Sequence, residues 1–490
     1  MSATISARRV FSPSAVIAVL CLGSLSGALM QSLVIPIQSE LPQLLNTDAS
    51  SSSWAITATL LAAAVTMPVS GRLADMYGKK RVLVASAAVL AVGSLVAAMS
   101  STLAPFLVGR ALQGVAMGYI PVAISLVREI APKDRANSAV AMVSATLGVG
   151  GALGLPLSAW IADRYSWHGL FWLSTVLALV VLALTVVVVP HVSDGHPAHL
   201  DVVGIVGLAV GLSAALIGVS KGSTWGWGDP ETVGSILGGV LVLLAWGAYE
   251  LRHGDPLVDL RISARRPVLF TNLAAVLIGF GMMAQSIVMP QLLQLPEATG
   301  FGLGQTILQA GLWMAPAGFM MMLFAPVSSG LLTAIGARVT LSIGAVVVSL
   351  GYVASLLLMG SPWQLMIGAM IGAAGVGIGY AAMPTLILDN VPAHEAGSGV
   401  GVNALMRSVG TTIAGAVMAA ILTSRTIELA PGATVPSEGA FQLCFVVGAG
   451  AALAGALVAL LVPRLRRPDP AAQQPAGDDA DVAQTVPVGG

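Results

Sequence analysis

The residues able to do chemistry in this 490-residue chain are few. One run, Gly71-Arg72-Leu73-Ala74-Asp75-Met76-Tyr77-Gly78-Lys79-Lys80-Arg81, sets a carboxylate, two glycines and a cationic cluster side by side. Its glycines permit close backbone approach, and its acid ends an apolar stretch beside positive charge. A plain loop with flanking positive charges would require neither Asp75 nor two glycines at this spacing. Two arginines, Arg110 and Arg407, fall inside apolar stretches, where a cation is costly and marks a functional candidate. The competing account of Arg110, in the run Arg110-Ala111-Leu112-Gln113-Gly114, is a hydrogen-bond hub for neighbouring carbonyls. No aspartate or glutamate lies away from the ends of an apolar stretch, and the six histidines all read as lying outside such stretches. Cys21 and Cys444 sit in apolar runs without the spacing of a disulfide framework or a metal site. Catalysis would need a nucleophile with its base, or metal ligands, at matched depth. The expected chemistry is therefore gating and recognition, with no enzymatic reaction, no cofactor and no metal.

The elements that must position these groups follow from composition. Hydrophobic residues make up 56% of the chain and charged residues only 9%, with a mean hydropathy of +0.89. A soluble domain carries about 25% charged residues, so a cytosolic enzyme is excluded. The 22 basic residues balance 22 acidic ones, which excludes a nucleic-acid binder. A bilayer span needs about 20 mostly apolar residues. Fourteen stretches qualify: 16–37, 54–74, 81–100, 104–126, 138–162, 169–189, 202–220, 232–251, 268–290, 305–329, 337–358, 363–386, 399–423 and 440–462. The expected fold class is an all-α polytopic membrane protein of fourteen transmembrane helices. Its expected parts are a cytoplasmic N-terminal tail (1–15), a six-helix bundle (16–190), two inserted helices with their loops (191–267), a second six-helix bundle (268–463) and a disordered cytoplasmic tail (464–490).

With both termini inside, seventeen of the 22 basic residues fall on the cytoplasmic side, and only Arg164, Lys221 and Arg425 fall outside. Trp54, Trp167, Trp172, Trp225, Trp227 and Trp363 then form an outer aromatic belt. The pair Arg8-Arg9 is read as a cytoplasmic flank of the first span and not as a twin-arginine export signal. Losing that span would break an internal repeat. Pro68, Val69, Ser70, Leu73 and Gly78 recur as Pro326, Val327, Ser328, Leu331 and Gly336 at an offset of 258. Pro132, Ala136, Ser138 and Val140 recur as Pro392, Ala396, Ser398 and Val400 at an offset of 260. Spans 1–6 and 9–14 thus read as two copies of one bundle around a midplane cavity, the layout of an alternating-access transporter.

The Gly71–Arg81 run closely resembles the signature loop of the major facilitator superfamily. Arg110 through Gly118 resembles that superfamily's second motif in its drug-exporting branches. The two inserted spans, the Asp201…Gly204…Gly207…Gly211 span ending in Trp225-Gly226-Trp227, and Glu250…Pro256-Leu257-Val258-Asp259 narrow the likeness to the fourteen-helix drug:proton antiporter family. The resemblance implies secondary active export of amphipathic drugs, antibiotics or secondary metabolites from a bacterial inner membrane, in exchange for protons. It also implies a gate of Gly71, Asp75, Gly78, Lys79, Lys80, Arg81 and Glu129. Asp75 would meet the positive end of span 13, Lys79 would pair with Glu129, and these contacts would latch the inner gate. Two features depart from the family pattern. Met30-Gln31-Ser32-Leu33-Val34 carries no acid where relatives place an aspartate in the first span, and Gly154-Leu155-Pro156 stands where a Gly-Pro motif is expected.

Arg110, Gln113, Gly114 and Arg407 are the candidate coupling and cavity residues. Met30, Gln31, Met282, Gln285, Gln309, Trp313 and Asn403 are the candidates for substrate contact, with ordinary helix packing as the competing account of each. Two arginines without an acid at depth favour neutral or anionic amphipathic substrates over lipophilic cations. The expected partners are that substrate, protons and lipid, and the expected state is a monomer. An uncoupled facilitator or lipid-like exporter is the alternative within transport. A transporter-like receptor or a membrane enzyme is the distant one.

Overall fold

The computed structural model describes residues 11–35, 37, 40–132, 134–192, 199–430 and 433–463. The Arg8-Arg9 flank, Lys133 and the 464–490 tail lie outside them. Among the described residues thirteen helices are long and apolar enough to cross a bilayer, and a bent one makes a fourteenth if taken as a single span.

The first six are α1 (Pro13–Ser32), α2 (Trp54–Tyr77), α3 (Lys79–Ala98), α4 in two segments (Leu103–Ala116 and Tyr119–Ile130), α5 (Ala136–Arg164) and α6 (His168–Val188). Two inserted helices follow, α7 (Val202–Trp225) and α8 (Pro230–Glu250). The last six are α9 (Arg266–Gln294), α10 in two segments (Ile307–Leu323 and Ala325–Ala334), α11 (Ala337–Leu357), α12 in two segments (Pro362–Gly379 and Ala382–Leu388), α13 (Ala396–Ser424) and α14 (Glu438–Leu460). One element escaped the all-helical expectation. A two-stranded antiparallel hairpin, β1 (Thr426–Ala430) and β2 (Ala433–Pro436), joins α13 to α14. Its signals were the alternation Thr426-Ile427-Glu428-Leu429, the β-branched Thr434-Val435 and the intervening Pro431-Gly432 dipeptide.

Prolines set the interruptions. Pro121 and Pro384 each stand three residues into the second segment of α4 and α12. A proline cannot bond the carbonyl four residues earlier, here Met117 and Tyr380, and both helices break there. The bend in α5, 42° between Ala136–Gly151 and Pro156–Ala162, has Pro156 at its second limb. Gly78 and Gly336, paired by the repeat, take φ of +90° and +82° and each starts the next helix. A side chain would strain that conformation, which explains why glycine recurs at both places.

Helices α1–α6 pack on one another, as do α9–α14, and two seams join the groups: α2 against α13 and α5 against α10. Helix α7 lies along the first seam, where Leu208, Leu212 and Leu216 meet Ala64, Val402 and Leu405. Helix α8 packs on α7 and leaves Leu237, Leu241 and Leu244 exposed, as suits a lipid-facing helix.

Candidate functional site

The first seam is closest at the end where α2 stops and α13 begins, called here the Asp75 end. Gly71 lies against the Gly397 carbonyl so tightly that a methyl group on Gly71 would collide with backbone, and Gly401 is similarly placed against Met67 and Pro68. Small residues let helix backbones approach in this way. Asp75, only 6% exposed, uses that proximity. The Gly397 N–H donates to Oδ1 at 3.0 Å and the Ser398 N–H donates to Oδ2 at 2.8 Å. These are two of the first amides of α13, which no carbonyl within the helix can satisfy. A carboxylate there also meets the positive end of the helix dipole, an interaction of about 0.3–1 kcal/mol when exposed and up to about 2 when partly buried.

The other charged groups of this loop serve their own half. Lys79 pairs with Glu129, linking the start of α3 to the end of α4. The sequence places this pair in the latch of the inner gate; both partners belong to α1–α6, so the bond itself braces one half. Lys80 donates to the Val186 carbonyl at 2.9 Å and Arg81 to the Tyr77 carbonyl at 3.3 Å, again within that half. Among the described residues the ion pair that does cross is Arg128 with Asp389, from the ends of α4 and α12. Sequence reasoning missed Arg128, which looked like any positive flank of a span. At the second seam Ser138 of α5 and Ser329 of α10 share a hydrogen bond of 2.6 Å.

Arg110 is 1% exposed on α4. Its Nε donates to the Ala55 carbonyl at 3.1 Å, and Nη1 donates to the Met30 carbonyl at 3.1 Å and to Gln113 Oε1 at 2.6 Å. Gln113 in turn donates to Ser94 Oγ at 3.0 Å, and Thr59 donates to the Arg110 carbonyl at 3.0 Å. The guanidinium therefore ties α1, α2, α3 and α4 together, while its Nη2 finds no partner among the described residues. Gly114 faces the Thr59 carbonyl, with no room for a side chain. Arg407, half-buried on α13, lies over the Tyr380 ring, 4.7 Å from its centroid, at the break in α12. Neither arginine has a carboxylate within ion-pair distance among the described residues. The structure does not set Arg110 and Arg407 as one pair: each is held within its own half.

The substrate candidates separate. Met30 is buried, and its carbonyl is spent on Arg110. Gln285 is buried between α9 and α12 and donates to the Gly368 carbonyl at 3.4 Å. Asn403 donates to Asn272 Oδ1 at 3.0 Å, joining α13 to α9; Asn272 had not been singled out in the sequence. Gln309 was expected well inside a span, but it sits at an exposed helix end. There its side chain accepts from the Thr306 N–H in a capping box. Trp313 is half-buried and donates to Gln305 Oε1 at 3.0 Å. Gln31 and Met282 are half-buried, the latter packed against the main core. His168, read as a loop residue, is the first residue of α6 and contacts the Ser100 carbonyl.

Two hollows flank the first seam. One, of about 480 Å³, opens at the far end between α7 and α13 and is lined by Gly222, Trp227, Val417 and Ile421. The other, about 230 Å³, lies at the Asp75 end between Arg72, Asp75, Asp255, Asp259, His394 and Glu395. Neither is lined by the residues expected to touch substrate.

Comparison with known proteins gives a consistent family. The model of the Major Facilitator Superfamily matches residues 20–415 and again 273–488. The tetracenomycin C resistance and export protein of Streptomyces glaucescens is 26% identical over 387 residues, 77% of this chain and 70% of that protein. A multidrug resistance protein B homolog of Mycobacterium tuberculosis is 25% identical over 379 residues, 76% of this chain and 69% of that protein. Among solved structures, the human organic anion transporter MFSD10 (TETRAN) superposes with a TM-score of 0.64 at 15% identity, covering 91% of this chain and 99% of that one. At that identity the likeness speaks to the fold alone.

Proposed function

The chain belongs to the major facilitator superfamily, and from that premise we propose that it exports amphipathic drugs, antibiotics or secondary metabolites by alternating access in exchange for protons. The observation that carries this reading is the Asp75 carboxylate bound to the first amides of α13. These bonds, with Arg128–Asp389 and Ser138–Ser329, join the halves at one end, and they must break for that end to open. The Asp75 end faces the cytoplasm in this reading. Lys79, Lys80, Arg81, Arg128, Arg135, Arg265 and Arg266 gather there, against Arg164, Lys221 and Arg425 at the other end. The structure is then the state closed to the cytoplasm, in a monomer of a bacterial inner membrane. Export is supported by the relatives whose names are resistance and export proteins.

Substrate charge follows from the arginines. Among the described residues Arg110 keeps an unpaired N–H, and Arg407 lies over the Tyr380 ring with no carboxylate at ion-pair distance. Both are paired with groups that leave their charge intact, so a neutral or anionic compound with hydrogen-bond acceptors is favoured. A lipophilic cation must bring its own neutralising group. A second reading, an uncoupled facilitator or lipid-like exporter, is favoured by one observation: α1 carries no acid.

Proteoliposomes with an imposed pH gradient and an internal pH dye test both. Neutral or anionic drugs are expected to trigger proton movement. Substrate movement without proton movement would give first place to the uncoupled reading. Strong transport of a permanent cation, with little transport of neutral or acidic drugs, would overturn the substrate class.

A further inference from the structure

The inserted helices carry a buried acid pair to which neither the gate nor the arginines give a role. Asp201 caps α7 and is 6% exposed, and Glu250 ends α8 and is 2% exposed. Asp201 Oδ1 is satisfied: it accepts from the Gly204 N–H at 2.7 Å and from the Tyr249 hydroxyl at 3.1 Å. Glu250 Oε2 accepts from the Val258 N–H at 3.4 Å. The remaining oxygens, Asp201 Oδ2 and Glu250 Oε1, are buried and have no hydrogen-bond partner among the described residues. They converge on the same small gap beside Gly204, where a methyl group would strike both.

Two ionised carboxylates facing each other without a cation in a water-poor site would repel strongly and leave both lone-pair sets unpaired. One proton held by the pair removes the repulsion, and both free oxygens reach the same gap beside Gly204 where it would sit. The neighbouring charges offer no substitute. Tyr249 donates to the pair, and His253 stacks on Tyr249 with centroids 5.1 Å apart. Asp255, farther along the loop, is held below the usual carboxylate range by hydrogen bonds from His199. Among the described residues no lysine or arginine makes an ion pair with Asp201 or Glu250.

We propose that Asp201 and Glu250 hold a single proton between Oδ2 and Oε1, forming a proton-binding site in the inserted helix pair. The site is connected to the gate by covalent chain. Glu250 fastens Val258, and the same loop supplies Gly254, Asp255, Pro256 and Asp259 to the hollow that contains Asp75 and Ser398. Losing the shared proton sets two negative charges against each other at the root of that loop. A role for the pair in drug:proton exchange rests on the antiport reading above; the existence of the proton site does not.

The test is an infrared pH titration of the purified full-length protein in lipid nanodiscs, without substrate. It compares the wild type with Asp201→Asn and Glu250→Gln. The expected result is a protonated-carboxyl carbonyl band, shifted in heavy water, that titrates in the wild type and is missing from both variants. Glu250→Gln keeps an N–H to face Asp201, so its thermal unfolding is expected to match the wild type. Should either variant fail to fold, carboxyl-isotope labelling of aspartate alone or glutamate alone reads the same band in the wild-type chain. A band unchanged in both variants, or its absence from the wild type, overturns the proposal. So does an absent band together with a melting temperature raised by sodium or magnesium, which would make the pair a cation site. Loss of substrate-driven proton flux in Glu250→Gln, with substrate counterflow retained, supports the coupling role, and unchanged flux overturns that role. A wild type that moves substrate without protons contradicts antiport while leaving the infrared result standing.

Discussion

At the α2–α13 seam the Gly71 backbone lies against Gly397, whereas at the α10–α5 seam the repeat-equivalent Ser329 meets Ser138 through hydroxyls 2.6 Å apart. The position matching Asp75 at the offset of 258 is Thr333, whose hydroxyl turns back to the Ser329 carbonyl of its own helix. One seam is thus closed by backbone contact and a buried carboxylate on a helix end, and the other by a neutral bond between side chains. A similar asymmetry governs the ends of α4 and α12. Glu129 is held by Lys79, but the second half carries Ala337 at the position equivalent to that lysine, and the counterpart Asp389 pairs instead with Arg128 across the halves. The repeat supplies two similar frames, and single departures from it decide which contacts cross between them.

The largest expected effect comes from Gly71→Val. Forcing a side chain against the Gly397 carbonyl costs about 1–3 kcal/mol or more by overpacking. Transport should fall at least about ten-fold as the seam is held apart, measured in proteoliposomes against the corresponding Ser329→Val. Near-equal losses at both seams would erase the contrast between them. Asp75→Asn comes next. Bonds to a charged acceptor contribute about 1.5–3 kcal/mol, and an amide opposes one N–H with its own, so the closed state should lose roughly 10- to 100-fold in population. Cysteine accessibility on the cytoplasmic side reads that shift.

Smaller still is the Arg128–Asp389 pair, about a third exposed. A double-mutant cycle with Arg128→Gln and Asp389→Asn should give a coupling of about 0.5–1 kcal/mol. The cycle for Lys79 and Glu129 should change folding stability but not the gate equilibrium. The smallest effect belongs to Ser329→Ala, about 0.5 kcal/mol, the low end for one neutral hydrogen bond because the Ser138–Ser329 pair is exposed.

Much of this was legible in the sequence because it depends on local pattern. Spans follow from apolar length, and Gly78 and Gly336 follow from the repeat; the breaks at Met117 and Tyr380 were hidden inside unbroken apolar runs, although Pro121 and Pro384 stand four residues on. What was not legible depends on partners far apart in the chain. Arg128 and Lys79 look alike as basic flanks, and only the approach of α12 decides that Arg128 bridges the halves. Met30, Gln285 and Asn403 carry polar atoms or soft side chains at mid-span, yet inter-helix hydrogen bonds and packing absorb them. Gln309 shows the reverse error, since a helix that starts at Ile307 turns an amide inside an apolar run into a cap. Asp201 and Glu250 were visible as residues, but 49 positions separate them, and no spacing rule places their oxygens in one gap.

In the proposed cycle, Asp75 on the end of α13 holds the cytoplasmic side closed. Double electron–electron resonance tests it most directly, with spin labels at Tyr77 and His394, both exposed at that end, after replacing Cys21 and Cys444. One short distance is expected in the wild-type background, with a second, longer population in Asp75→Asn. Superimposable distributions, with the short distance unchanged, would contradict it.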